Sequence, residues 1–145
     1  MRQSDLSRLR GLAFCLALLP TALPTALAAA EPPVPMTAAE FEAYTTGKTL
    51  TFSQRGEVYG AEQYLPGRNV RWAFKGDTCR NGTWYEEAGL ICFVYDHDPG
   101  PQCWTFWRDE GRLTGLFIGD GFGSELSEVA QSPDPLACAG PDLGV

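Results

Sequence analysis

The chain has 145 residues, 18 acidic against 11 basic, with a formal net charge of −7. That length accommodates one folded domain. So acidic a chain is a poor partner for nucleic acid or for an anionic membrane surface.

The first thirty residues read as a secretory signal peptide. Arg2, Arg8 and Arg10 make a basic start, Gly11 to Leu19 is an apolar run, and Ala26-Leu27-Ala28 and Ala28-Ala29-Ala30 both fit a small-residue cleavage site. A membrane anchor is the alternative. The run is too short to span, and Pro20 and Pro24 interrupt its extension. Removing residues 1–30 leaves 8 basic and 17 acidic residues, a net charge of −9, in a chain expected in the periplasm or outside the cell with no membrane insertion.

Residues 31–36 (EPPVPM) form an extended proline-rich leader. Thr37-Ala38-Ala39-Glu40 has the pattern of a capping box, so a short helix is expected over 38–46, with Phe41 and Tyr44 on one face and Gly47 ending it. From Lys48 onward only strands are expected. Thr49 to Ser53 is the first, and Glu57 to Leu65 the second, with Gly60 marking a bulge or a close approach. After the Pro66–Asn69 turn, Val70, Trp72 and Phe74 alternate with Arg71, Ala73 and Lys75, the period-two pattern of a half-buried strand.

Residues 78–117 then read as three hairpins that share their strands, near 82–86, 90–95, 102–107 and 113–118. A symmetric turn at DHDPGP sets Cys92 opposite Cys103, and only a close, non-hydrogen-bonded pair suits a bridge there. A short turn at Glu86–Gly89 sets Trp84 opposite Ile91 and Gly82 opposite Phe93. A type I turn closed by Gly111 sets Trp104 opposite Leu116. Trp84, Ile91, Trp104 and Leu116, with Phe93 and Phe106, then make the core face, and Thr83, Cys92, Cys103 and Phe117 the other. A one-residue slip would exchange the faces. Glu125 to Val129 is a last short strand.

The fold expected is mainly β, an antiparallel meander of seven or eight strands closed as a small up-and-down barrel over 37–130, with one short N-terminal helix. An open, strongly curved sheet is the alternative. The exported part keeps four cysteines, and an even count in a small exported domain implies two disulfides. With Cys92–Cys103 chosen by the register, Cys79–Cys138 remains, and it tethers the C-terminal tail, 131–145. A four-thiolate zinc site is the rival reading, but no C-x-x-C pair is present.

Several short motifs look familiar. Thr37-Ala38-Ala39-Glu40-Phe41, Gly47-Lys48-Thr49, Gly82-Thr83-Trp84, Leu90-Ile91-Cys92 and Cys103-Trp104 resemble stretches of small exported alphaproteobacterial proteins, mostly uncharacterised. The resemblance implies a lipocalin-like β-barrel and an exported compartment, and no reaction.

No catalytic, metal or cofactor residues stand out. His97, in Asp96-His97-Asp98, is the single histidine, and turn chemistry explains every residue around it. The pairs Glu86-Glu87 and Asp109-Glu110 read as solvated loop tips, and the spacing of Asp120 and Glu125 fits no known calcium loop. The function expected is non-catalytic binding, either of a small apolar ligand in the barrel mouth or of an envelope protein that the barrel inhibits. A hydrolase using surface carboxylates or His97, and a structural envelope component, are the alternatives.

Overall fold

The computed structural model describes residues 31–119 and 124–139; the expected signal segment and Asp120 lie outside them. Among the described residues no helix is long and apolar enough to cross a membrane. One helix, α1 (Ala38–Thr45), precedes eight strands: β1 (Thr49–Gln54), β2 (Glu57–Leu65), β3 (Asn69–Phe74), β4 (Arg80–Glu87), β5 (Leu90–Tyr95), β6 (Gln102–Asp109), β7 (Arg112–Phe117) and β8 (Glu125–Ser132). Each strand pairs antiparallel with the next, and β8 pairs back onto β1, so the sheet is a closed barrel. The last strand runs to Ser132, three residues beyond the expected Val129.

Tight turns set the register. Glu110 and Gly111 both have positive φ, 47° and 84°, so β6 and β7 join through a two-residue turn closed by the pair Asp109 and Arg112. The longer turn expected from the sequence would have set Trp104 against Leu116. Instead Trp104 faces Phe117, so Phe117 turns inward and Leu116 outward beside Thr105. Gly115 then falls opposite Phe106, where a β-carbon would come within 2.5 Å of the ring. Ala88 and Gly89 make a second such turn, with φ of 52° and 79°. It moves the β4–β5 pairing by two residues, so Trp84 faces Phe93 rather than Ile91, and Gly82 faces Tyr95 rather than Phe93. An even shift keeps the faces, and Trp84, Ile91 and Phe93 remain inside. The β5–β6 register pairs Ile91 with Trp104 and Cys92 with Cys103, as expected.

Bulges shape the closure. The pairing of β1 with β2 skips Tyr59, and that of β1 with β8 skips Val129. Such extra residues bend and twist a strand and re-aim its side chains. Gly60 lies at the first bulge and is also a close approach, since a β-carbon there would meet the Ala73 carbonyl oxygen at 2.5 Å.

The helix closes one end of the barrel. Its capping box is formed, with the Glu40 amide donating to Thr37 Oγ1 and the Thr37 amide to the Glu40 carboxylate. Phe41 is fully buried and meets Tyr64, Trp84, Phe93 and Phe106 at ring-centroid distances of 4.7–6.2 Å. The Tyr44 hydroxyl donates to Glu128 Oε2 at 2.6 Å, and the same oxygen accepts from the Leu113 amide at 2.8 Å. Burial and the Glu128 carboxylate push the Tyr44 phenol up to about 12, so it stays a donor at neutral pH.

Two disulfides are formed, Cys92–Cys103 and Cys79–Cys138. Cys92 and Cys103 have Cα atoms 4.0 Å apart, the close spacing of a non-hydrogen-bonded pair. After β8 the chain turns back along the outside of β2 and β3. The Asp134 carbonyl accepts from Thr49 Oγ1, the Leu136 amide donates to Gln63 Oε1, and Cys138 reaches Cys79 ahead of β4. The tail is therefore held by hydrogen bonds as well as by the bridge.

The loops that the bridges close differ in length, 59 residues for Cys79–Cys138 and 11 for Cys92–Cys103. On loop-closure entropy their removal costs about 4 and about 3 kcal/mol respectively. Denaturant unfolding of the paired serine variants is expected to give that order, and the reverse order would show that the tail strap contributes little.

Candidate functional site

The end of the barrel opposite α1 is not filled. The inward residues there are large rings separated by polar groups, and they surround a cavity of about 60 Å³ that reaches the surface. Phe52, Trp72, Phe93, Phe106 and Leu126 form its apolar wall. Tyr59, re-aimed by the bulge, packs on Trp72 and on Phe74 at 5.9 and 5.2 Å between ring centroids and forms part of the rim.

At the base sits Glu62, 4% exposed. Its position follows from the strand pattern. In β2 the inward residues are Gly60, Glu62 and Tyr64, and the β2–β3 register sets them against Phe74, Trp72 and Val70. Tyr95 of β5 donates its hydroxyl to Glu62 Oε1 at 2.6 Å. The Tyr64 hydroxyl lies near enough to favour the ionised Glu62, yet among the described residues it has no partner at hydrogen-bonding geometry. Burial dominates these favourable contacts and raises the Glu62 carboxyl to about 7. Both tyrosines are held well above their usual range by burial and then by the neighbouring carboxylate, so they remain neutral.

The mouth carries an ion pair. Arg80 of β4 reaches Asp98 at 3.4 Å, and Gln102 donates to the other oxygen of the same carboxylate at 3.3 Å. The Arg80 guanidinium also lies 5.3 Å from the centre of the Phe74 ring. Asp98 thus turns from the DHDPGP loop toward the cavity. His97 does not. It takes a left-handed conformation, φ 70°, on the exposed side of the turn, and it is not among the residues lining the cavity.

The other sequence candidates are scattered. Glu86, Glu87, Asp109 and Glu110 are exposed on the strand ends and turns near α1, away from the cavity, and Glu86 accepts from the Gly89 amide across its turn. Glu125 is exposed, and its calcium-loop partner Asp120 lies outside the described residues. Glu87 comes close to the Cys92–Cys103 bridge, but bonded sulfurs do not offer a thiolate to a metal. Glu62, Tyr64, Tyr95 and Arg80 did not stand out in the sequence. The available signal was the parity of β2. Once the Pro66–Asn69 turn pairs Leu65 with Asn69, the alternation of Val70, Trp72 and Phe74 fixes Glu62 on the core face.

A carboxyl that is easier to bury protonated couples folding to pH. The folded-state value is raised from 4.5 to about 7, so Glu62 burial is tolerated fully below about pH 4.5, and its contribution is lost as pH rises through about 7. The loss is on the order of 3 kcal/mol at alkaline pH. Glu62→Gln keeps an acceptor for Tyr95 and has nothing to ionise. Thermal or urea unfolding is expected to show the variant gaining stability over wild type between about pH 4.5 and 8. Parallel stability curves for the two would contradict the buried-acid assignment.

No family model, curated protein or solved structure matches the chain. What the barrel does is therefore read from the chemistry of its cavity.

Proposed function

We propose that the protein is an exported, non-catalytic carrier or receptor that takes a small, mostly apolar molecule into the open end of its barrel. The observation that supports this best is the asymmetry of the interior. One end is filled by Phe41 and its ring of aromatics, while the other keeps a cavity with convergent polar groups, Glu62, Tyr64 and Tyr95, at its base. Glu128, the buried acid at the closed end, ties α1 to the barrel through Tyr44 and the Leu113 amide, whereas Glu62 holds no such structural link among the described residues and faces the free volume.

The volume sets the ligand's size. About 60 Å³ is room for a handful of non-hydrogen atoms, far below the few hundred Å³ of a drug-sized site. A long acyl chain does not fit this arrangement of side chains, whereas a compact molecule or the head of a larger one does. The paired Arg80 and Asp98 at the mouth are positioned to meet whatever part of the ligand projects outward.

Export fits the two disulfides, since bridges persist in oxidising compartments. On this reading the chain sits with the small exported barrels that its motifs resemble. The envelope-protein reading has less behind it. The large apolar side chains exposed among the described residues, Val34, Val58, Tyr85, Val94, Ile118 and Val129, are distributed over the leader, four strands and the segment after β7. The hydrolase reading lacks a site, as His97 and the turn carboxylates do not converge.

The tryptophans report on occupancy. Trp72 and Trp104 line the cavity, Trp84 lies beside Arg68 at the closed end, and Trp107 pairs with Thr114 on the outer face. When compact fragments are titrated and indole signals followed by NMR, Trp72 and Trp104 are expected to shift and Trp84 and Trp107 to stay. Shifts confined to Trp107, or none from any fragment, would contradict binding inside the barrel.

A further inference from the structure

Resting on the binding reading above, we propose that the ligand is a compact organic cation, a protonated amine whose ammonium group sits beside Glu62 within the aromatic wall. Four observations point the same way. Phe52, Trp72, Phe93, Tyr95, Trp104 and Phe106 all line the cavity, and the faces of such rings attract cations. The carboxylate at the base is nearly fully buried and has no cationic partner among the described residues, since the guanidinium at the mouth is already matched by Asp98. Tyr64 is 1% exposed and lines the same cavity, and its hydroxyl has no hydrogen-bond partner among the described residues, so it offers a lone pair to an ammonium N–H. The field of a chain carrying −9 after removal of residues 1–30 draws cations toward its clefts.

The competing ligand classes fare worse on the same groups. An anion entering this cavity meets the Glu62 carboxyl and the aromatic faces, both unfavourable. A wholly apolar molecule leaves Tyr64 Oη without a partner and deepens the desolvation of Glu62.

Binding is coupled to protons through Glu62. The groups facing it are Tyr64 on its own strand and Tyr95 on β5, with Tyr59 on β2 at the rim and Arg80 on β4 and Asp98 in the β5–β6 loop at the mouth. Glu128 on β8 acts on Tyr64 from the closed side. Phe52 of β1, Trp72 of β3 and Trp104 of β6 add no titrating group. Tyr64 and Tyr95, held well above their usual range, stay neutral. Glu62 is therefore the group that changes, and a cation beside it drives its proton off.

The test uses the oxidised protein and three probes of one size: n-butylammonium, n-butanol and butyrate. Calorimetry at about pH 8 is expected to show n-butylammonium binding at least about tenfold tighter than either other probe, and its affinity falling about tenfold per pH unit below about 7. In buffers of different ionisation enthalpy, the wild-type protein is expected to release roughly half a proton per cation bound near neutrality. Glu62→Gln is expected to bring the cation-to-alcohol ratio down to about one. If n-butanol or butyrate binds as tightly as the amine, or if no proton is released, the cation class is wrong while the barrel remains a ligand site. If none of the three binds and the Trp72 indole never shifts, the binding reading falls as well.

Discussion

An eight-stranded antiparallel barrel encloses an interior just wide enough to be filled by its own side chains, and everything else in this protein depends on how that volume is divided. Phe41, delivered by a single two-turn helix, takes up the space at one end and touches rings from β2, β4, β5 and β6. The helix is held over the opening by three further contacts: the Met36 amide donating to the Phe106 carbonyl, the ion pair between Glu42 and Arg68, and the Tyr44–Glu128 bond. Arg68 also lies over the Trp84 ring at 4.5 Å, so the plug is tied to the barrel wall as well as inserted into it. With that end packed, the remaining free volume lies at the other, around Glu62.

The sequence carries much of this architecture in its turns and alternation. The capping box, the order of the strands and the β5–β6 register with its Cys92–Cys103 pair were all readable, because short-range chemistry decides them. The two neighbouring registers were not. A type I turn with a bulge and a two-residue turn with two left-handed residues use the same Asp-Glu-Gly letters, and the choice moves Phe117 and Leu116 to opposite faces. Glu110 and Ala88 adopt positive φ although neither residue favours it. The neighbouring strands impose that twist, which is a tertiary preference overriding a local one.

The candidate site was less legible still. Glu62 sits in a run, EVYGAEQYL, where a glutamate reads as an ordinary outward residue. Its inward aim follows only once the register with β3 sets it beside Trp72. Asp98 was visible only as a turn former, while the folded loop uses it to hold Arg80 and Gln102 at the cavity mouth. His97 is the exposed turn residue that the chemistry of its loop implies. The site is made from common residue types brought together by topology.

The central claim is that an acid lies buried in the open end of the barrel with its charge poised near neutrality. The direct measurement is a carbon-detected NMR titration of the glutamate carboxyl groups, with Glu62 assigned by its loss in Glu62→Gln. Burial offset by the tyrosine hydroxyls places its midpoint at about 7. A midpoint in the ordinary glutamate range, near 4.3, would mean that the carboxyl is hydrated, and that the cavity is a wet surface cleft with no special demand on a ligand's charge.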